Sequence, residues 1–398
     1  MGTGRYRFFL GAPGLIGVNS VNRAHRKIIY LSGTRADFGL MKSTLLLLNR
    51  KVDLSLVVTG MHLDTNFGNT LDDIRAAGLR ICGEVPVDVK TRTPQSMAAG
   101  VGDCLKGLTA LLQKEKPDIL VVLGDRGEML AGAIAALHLG IVCVHIHGGE
   151  RSGTVDEPVR HAISKLSSYH LVATDESRER LIRMGEPPDS VQVTGAPGLD
   201  GITGQATLSP DEARLALNLP AGQPFLLTIF HPVVQQASDA YAQTMWLVRA
   251  LNNVGWPVVW SEPNADAGSL GILQALADQP LLAGSYRVAH LERSLFCAAM
   301  KHCAVMVGNS SAGIIEAASF GTPVVNVGSR QHLRERNLNV LDVPPEPVAI
   351  EAAIRQAMLH GKWPCHNKYG DGLAGARIAG HLMTLSLDRT VLEKTNTY

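Results

Sequence analysis

Four carboxylates, two histidines and a set of arginines recur where a polypeptide could do proton-transfer chemistry on an anionic ligand. Asp125 and Arg126 sit together, His147 and Glu150 lie in the run His145-Ile146-His147-Gly148-Gly149-Glu150, and Asp156-Glu157 follows closely. His231 stands alone before a proline, and Asn264 and Asp266 flank an alanine. Acid–base catalysis needs titratable groups whose surroundings separate their pKa values, and carboxylates set beside histidines are suited to that. Arg35, Arg126, Arg330 and Arg334 offer cations for phosphate. The stretch Gly308-Asn309-Ser310-Ser311-Ala312-Gly313 is a run of small residues ahead of a helix expected near Ile314. Its backbone N–H groups and hydroxyls could cradle an anion without the lysine of a Walker loop, which suits a diphosphate. On one strand face, His145 and His147 could both reach a metal ion. The sequence offers no further spaced ligand set, so a metal-free acid–base site is expected, with no cofactor.

The elements that must hold these residues are strands alternating with helices. Apolar runs at 27–31, 53–58, 119–123, 141–146, 169–173 and 191–193 read as one set of strands. Runs at 224–230, 257–260, 304–307 and 323–327 read as a second set. The runs are continuous, as in parallel sheets covered by helices on both faces. Helices are expected at 129–139, 159–167, 241–254 and 291–301. Nearly every polar cluster falls just after a strand, where open parallel sheets bind ligands. The expected fold class is therefore α/β, with two Rossmann-like domains facing across a cleft. A polar, turn-rich stretch at 195–210 marks the boundary. Residues 1–26 form an N-terminal extension expected to be mobile, 27–203 a first domain and 204–370 a second. Residues 371–398 are a helix and tail expected to pack back on the first.

With 37 Lys and Arg against 36 Asp and Glu, the formal net charge is +1. That balance argues against nucleic acid or an anionic membrane as a partner. A mean hydropathy of +0.09 and the lack of an apolar run of roughly 18 residues give no membrane span. The six cysteines show no paired metal spacing, consistent with free thiols in a reducing cytoplasm.

These residues together resemble the hydrolysing UDP-N-acetylglucosamine 2-epimerases of sialic acid synthesis. The likeness is carried by Gly33-Thr34-Arg35-Ala36-Asp37-Phe38-Gly39, Val58-Thr59-Gly60-Met61-His62, Gly124-Asp125-Arg126, His145 to Glu150 and Asp156-Glu157. Arg160 to Lys165, Phe230-His231-Pro232, Asn264 to Ser269 and Gly308-Asn309-Ser310-Ser311 extend it. The resemblance implies a glycosyltransferase-B-like fold with a UDP-sugar in the cleft and no nicotinamide. It implies anti elimination of UDP to a 2-acetamidoglucal, then hydration with inversion at C2, giving N-acetylmannosamine. By the same likeness Arg35, Arg126, Ser310, Ser311 and Arg330 hold the diphosphate, with Gly313 in the cradle and Glu316 on the ribose. His231 and Asn264 stand beside diphosphate and sugar, and Asp125 and Asp156 take part in proton transfer. Some relatives carry Glu where His147 stands, which leaves His147 or Glu150 as a further acid–base group, with Glu157 also a candidate. Ser329 and Gly39 depart from the family pattern. The same chemistry on UDP-2,4-diacetamido-2,4,6-trideoxyglucose is an alternative. So are a non-hydrolysing epimerase, against which Ala36-Asp37 after Arg35 counts, and a glycosyltransferase. A homo-oligomer, dimer or tetramer, is expected.

Overall fold

The computed structural model describes residues 26–64 and 70–397. The expected mobile extension lies, up to residue 25, outside the described residues. Seven strands form the first sheet: β1 (Lys27–Ser32), β2 (Asp53–Thr59), β3 (Ile81–Val85), β4 (Ile119–Leu123), β5 (Val142–Ile146), β6 (Tyr169–Val172) and β7 (Val191–Val193). All pair in parallel, in the order β3-β2-β1-β4-β5-β6-β7. The second sheet holds β8 (Leu226–Ile229), β9 (Val258–Ser261), β10 (Tyr286–Val288), β11 (Val305–Gly308), β12 (Val324–Val327) and β13 (Val340–Val343). Its order is β10-β9-β8-β11-β12-β13, again parallel. Central strands are largely apolar because helices bury both faces: the Ile-Leu-Val-Val-Leu of β4 is buried throughout.

The strand order reverses between β1 and β4 in one sheet and between β8 and β11 in the other. At such a switch point the following loops diverge and leave a crevice at the carboxyl ends of the strands. Arg35 and Asp125-Arg126 follow β1 and β4, and His231 and Asn309-Ser310 follow β8 and β11. The topology thus delivers the candidate residues to two facing crevices.

Three strands escape sequence reading, β3, β10 and β13. Each is an edge strand with partial burial, so Gly83, Arg287 and Asp342 interrupt the apolar run that a central strand needs. Helix starts also shift. The helix at Asp156–Leu166 begins on the acidic pair itself, three residues before Val159. The helix expected near Ile314 begins at Ser311 and ends at Ile315, followed by a 3-10 turn at Ala317–Phe320. Gly321 then turns the chain at φ +61°, and a Cβ there would lie 2.1 Å from the Trp363 carbonyl.

The chain returns to the first sheet at its end. The helix Ala374–Thr384 lies against the helix Arg35–Asn49, with Ala374, Ile378, Ala379 and Leu382 in the core beneath β1. Asp200 accepts hydrogen bonds from the amides of Ala374 (2.9 Å) and Gly375 (2.6 Å), fixing the start of that helix. Farther on, the Lys394 amine donates to the carbonyls of Ser164, Lys165 and Ser167 at 2.7–3.0 Å, at the carboxyl end of the helix Asp156–Leu166. It also pairs at 2.6 Å with Glu186, which is fully buried and meets Lys165 (2.7 Å) and His170 (2.8 Å). Burial alone would raise the Glu186 carboxyl, but hydrogen bonds from His170, Lys165 and Lys394 bring it down to about 2.

Removing a buried charge strands its partners, which costs roughly 3–5 kcal/mol. Glu186→Ala should therefore lower the first urea midpoint markedly, read by circular dichroism. Because the folded pKa is depressed, the Glu186 contribution is full above the ordinary carboxylate range and is lost as pH falls toward 2. An Ala variant as stable as the parent at pH 7 would refute this.

Candidate active site

Asp37 organises the first loop. Its carboxylate accepts from the amides of Gly33 (2.9 Å) and Thr34 (2.8 Å), while Thr34 caps the Asp37 amide in return. Ser32 bonds the same carboxylate and also His62 (2.8 Å). Arg35 thereby sits on the first turn of its helix and pairs with Asp73 at 2.8 Å.

Asp125 follows Gly124, whose φ is +80°. Its carboxylate is bonded by Arg160, a guanidinium almost wholly buried, and lies 3.9 Å from Arg334. Arg160 also donates to the Glu150 carbonyl at 3.0 Å and to Ser152 at 3.4 Å. A single buried arginine therefore ties the loop after β4 to the loop after β5.

The expectation that His145 and His147 share a strand face is overturned. β5 ends at Ile146, and His147 is left-handed at φ +63°, a conformation of order 1–3 kcal/mol above the usual one for a side-chain-bearing residue. Its amide bond to the Leu171 carbonyl (3.1 Å) helps hold it there. Gly149, at φ +76°, completes the turn, where a Cβ would stand 2.4 Å from the Ser177 carbonyl. His145 faces away, its Nε2–H donating to the Gly124 carbonyl (2.7 Å) and its Nδ1 meeting Ser164 (3.0 Å). Both of its nitrogens are engaged, so the two imidazoles do not converge. Among the described residues no cluster of ligating side chains is placed to hold a metal.

His147 Nδ1 is bonded to Glu150, whose other oxygen is bonded by Arg334 from the second sheet. Burial, then the nearby Arg334 charge, lowers His147 to about 3. The imidazole is neutral, with its proton on Nδ1 facing the carboxylate and the Nε2 lone pair available. His231 has the opposite tautomer. Its Nδ1 accepts from the Asn264 amide at 3.2 Å, so its proton resides on Nε2. Burial, then Arg330 and Arg126, holds its pKa well below the usual value.

Asn309 joins the two loops of the second crevice. It accepts from the His231 amide (2.7 Å), donates to the His231 carbonyl (2.8 Å), and its own carbonyl accepts from Arg330 (3.2 Å) and Gln331 (3.3 Å). Ser310 caps the short helix through the Ala312 amide at 3.3 Å, with Ser311 as the first helical residue. Asn264 bonds Asp266 at 2.6 Å. Across the gap Arg126 approaches Asp266 (3.6 Å) and Arg330 approaches Asp156 (3.7 Å). Thr154, Asp156, Pro232, Val234, Asp266 and Arg330 pack closely beside them.

Three further candidates are engaged locally. Glu157 is a loop clamp: one oxygen of its carboxylate accepts from the amides of Ser152 (2.9 Å) and Gly153 (2.7 Å). Gly313 faces the sheet, where a Cβ would lie 3.0 Å from Val324, so its smallness serves helix-on-strand packing. Glu316 pairs with Arg293 at 2.6 Å. Sequence reasoning assigned no role to Arg160, Asn309 or Asp266, and saw Arg334 only as one more cation. Their pairings bring together residues far apart in the chain; only their positions in strand-end motifs signal them.

Two parallel sheets facing across a gap lined by arginines and carboxylates define an α/β protein of the glycosyltransferase-B-like class. A crystal structure of UDP-GlcNAc 2-epimerase from Neisseria meningitidis bound to UDP-GlcNAc superposes with a TM-score of 0.74 at 20% identity, covering 90% of this chain and 99% of that one. The family model for UDP-N-acetylglucosamine 2-epimerase matches residues 47–383, and the chain belongs to that family. It is 46% identical over 378 residues to the UDP-N,N'-diacetylbacillosamine 2-epimerase (hydrolyzing) of Legionella pneumophila, covering 94% of this chain and 100% of the relative. It is 34% identical over 354 residues to the UDP-N-acetylglucosamine 2-epimerase of Neisseria meningitidis serogroup B, covering 87% and 91%. Among the described residues no helix is long and apolar enough to cross a membrane.

The buried imidazoles should make the fold sensitive to acid. Burial lowers His145 and His147 to about 3 each, whereas in the unfolded chain they protonate near 6.5. The unfolded state binds more protons between those values, so stability falls as pH drops through 6.5 toward 3. At pH 5 each histidine contributes a loss of about 2 kcal/mol. Thermal melts should show Tm falling steadily from pH 7 to pH 5, and less steeply in His145→Gln; equal slopes would contradict the assignment.

Proposed function

We propose that this protein is a hydrolysing UDP-sugar 2-epimerase that eliminates UDP from a 2-acetamido sugar and hydrates the resulting glycal with inversion at C2. The observation that carries the reading is the pair of neutral histidines with opposite tautomers at the two facing crevices. The C2 proton has no carbonyl to acidify it, so the C1–O bond must break as the proton leaves. Electrons from the C2–H bond form the C1–C2 double bond, and the C1–O pair departs on the β-phosphate. His147 Nε2 serves as the base toward the sugar. His231 Nε2–H donates to the diphosphate, and Arg126, Arg330, Ser310 and Ser311 hold its charge, with Arg35 at the rim. Water then adds at C1 and a proton returns to C2 on the other face, with Asp156 and Asp125 as the carboxylates nearest these steps. Glu316 is reserved for the ribose through exchange of its Arg293 pairing.

The sequence alone placed UDP-N-acetylglucosamine first. The 46% identity over the full length of a diacetylbacillosamine enzyme supports UDP-N,N'-diacetylbacillosamine, the 2,4-diacetamido-2,4,6-trideoxyglucose sugar, as the preferred substrate. UDP-N-acetylglucosamine, with 34% identity behind it, is the second reading. A cytoplasmic homo-oligomer feeding nonulosonic acid synthesis is the setting we propose for it.

Incubation of each sugar in deuterated water, followed by NMR without any acceptor, separates these readings. A free 2-epimerised sugar deuterated at C2, together with UDP, is expected. A UDP-linked epimer would mean the non-hydrolysing reaction, and an unchanged pair of substrates would defeat the proposal. Asp156→Asn and Asp125→Asn should each lower kcat by about 10² or more while UDP still binds. Replacing both Ser310 and Ser311 by Ala should chiefly weaken UDP binding in calorimetry, with little change in kcat at saturation. Since both histidines are neutral well below pH 6.5, kcat should stay flat from pH 7.5 to 6.0. A one-proton fall centred near 6.5 would remove His147 as the base.

A further inference from the structure

We propose that Arg334 is a positioning residue, lent by the second domain, which holds Glu150 so that His147 keeps its proton on Nδ1 and its lone pair on Nε2. This rests on the reading of His147 as the base given above.

Arg334 lies beyond β12, while Glu150 and His147 follow β5, 184 residues away in the chain. Its Nη1 bonds Glu150 and its Nη2 stands 3.9 Å from Asp125. The side chain is 8% exposed, and its Nε is buried with no hydrogen-bond partner among the described residues. A buried guanidinium left so incompletely bonded is costly unless its charge is matched. The match here is two carboxylates of the opposite domain, not a neighbour on its own loop. Its backbone is anchored independently: the Arg334 carbonyl accepts from Arg336 (2.8 Å), and Tyr369 donates to the next carbonyl, that of Glu335 (2.9 Å).

The electrostatic consequence runs through Glu150. A carboxylate beside an imidazole favours the imidazolium, which cannot accept a proton. The groups facing His147 are Glu150 and Glu316, which favour the cation, and Arg334, which opposes it. Those facing Glu150 are His147 and Arg334, with Arg160 on its carbonyl. Asp125 has Arg160 as its main partner. Arg334 is thus the one cation whose loss leaves the His147–Glu150 pair negative. Arg330, four residues earlier on the same loop, reaches Asp156 at 3.7 Å, where we place the diphosphate. Arg330 and Arg334 stand on one loop, so the segment that offers a cation to the diphosphate also brings one to Glu150, and the base is complete only when the two domains are together.

The test compares Arg334→Met and Arg334→Lys with the parent, each first shown to be folded by UDP calorimetry. UDP affinity is expected to stay within about threefold, since Arg334 meets carboxylates. In 15N-edited imidazole spectra, the parent His147 should show the Nδ1–H tautomer and no titration down to pH 5. In Arg334→Met a titration should appear at about pH 7, where the unmatched Glu150 charge favours the imidazolium, and that of Arg334→Lys should lie between. Where turnover is measured, kcat of Arg334→Met should fall at least tenfold at pH 6 and recover partly at pH 8, with KM little changed. An unshifted His147 titration, or a kcat loss equal at every pH, overturns the proposal, as does a large loss of UDP affinity with kcat intact. If Arg334→Met does not fold, the intermediate titration expected of Arg334→Lys decides alone. The imidazole measurement needs no turnover, so a parent inactive on both UDP-sugars would defeat the proposed function while leaving this inference judged on its own readout.

Discussion

Charge burial is the constraint around which the two halves of this molecule are built. An arginine or a carboxylate removed from water without a partner costs several kcal/mol, and the gap between the sheets contains several of each. Within the first domain Arg160 neutralises Asp125; across the gap Arg334 meets Glu150, Arg330 meets Asp156 and Arg126 meets Asp266. The cross-gap pairs at 3.6–3.7 Å are looser than the pairs made by Arg160 and Arg334. Arginines in loose pairs can exchange a carboxylate for a phosphate without a large penalty, whereas the tight, buried ones serve to hold shape. The division separates cations suited to a ligand from cations suited to the scaffold.

The same burial sets the histidines. Without solvent to stabilise an imidazolium, both His147 and His231 are neutral, and the tautomer of each is set by what faces Nδ1. A carboxylate does so for His147 and a backbone amide for His231. One ring therefore presents a lone pair and the other an N–H. A reaction that takes a proton from one side of a sugar while a phosphate leaves from the other needs that asymmetry.

Rigidity is distributed to match. The helix Asp156–Leu166, which carries Asp156 and Arg160, is held at its carboxyl end by Lys394 and near its start by the Glu157 clamp. The helix Ala374–Thr384 fastens the end of the chain onto the first sheet. Across the gap itself the joining is done by the loose arginine pairs, the Thr174–Glu335 hydrogen bond and the buried Arg334–Glu150 pair.

Continuous apolar runs, glycine turns and polar clusters at strand ends were enough to read the α/β class, the central strands and the positions of Asp125, His147, Asp156, His231 and Ser310, because those signals are local and repeat at the period of a strand or helix. The edge strands β3, β10 and β13 were not legible, since half-buried strands carry no sustained apolar run. Nor was the left-handed turn at His147, which depends on the Leu171 carbonyl and the tight approach at Gly149. The roles of Glu157 as a clamp, Gly313 as a packing contact and Arg334 as the partner of Glu150 came only from the folded chain. Which charge meets which is decided by contacts between segments far apart in sequence, and side-chain type records a capacity for pairing without naming the partner.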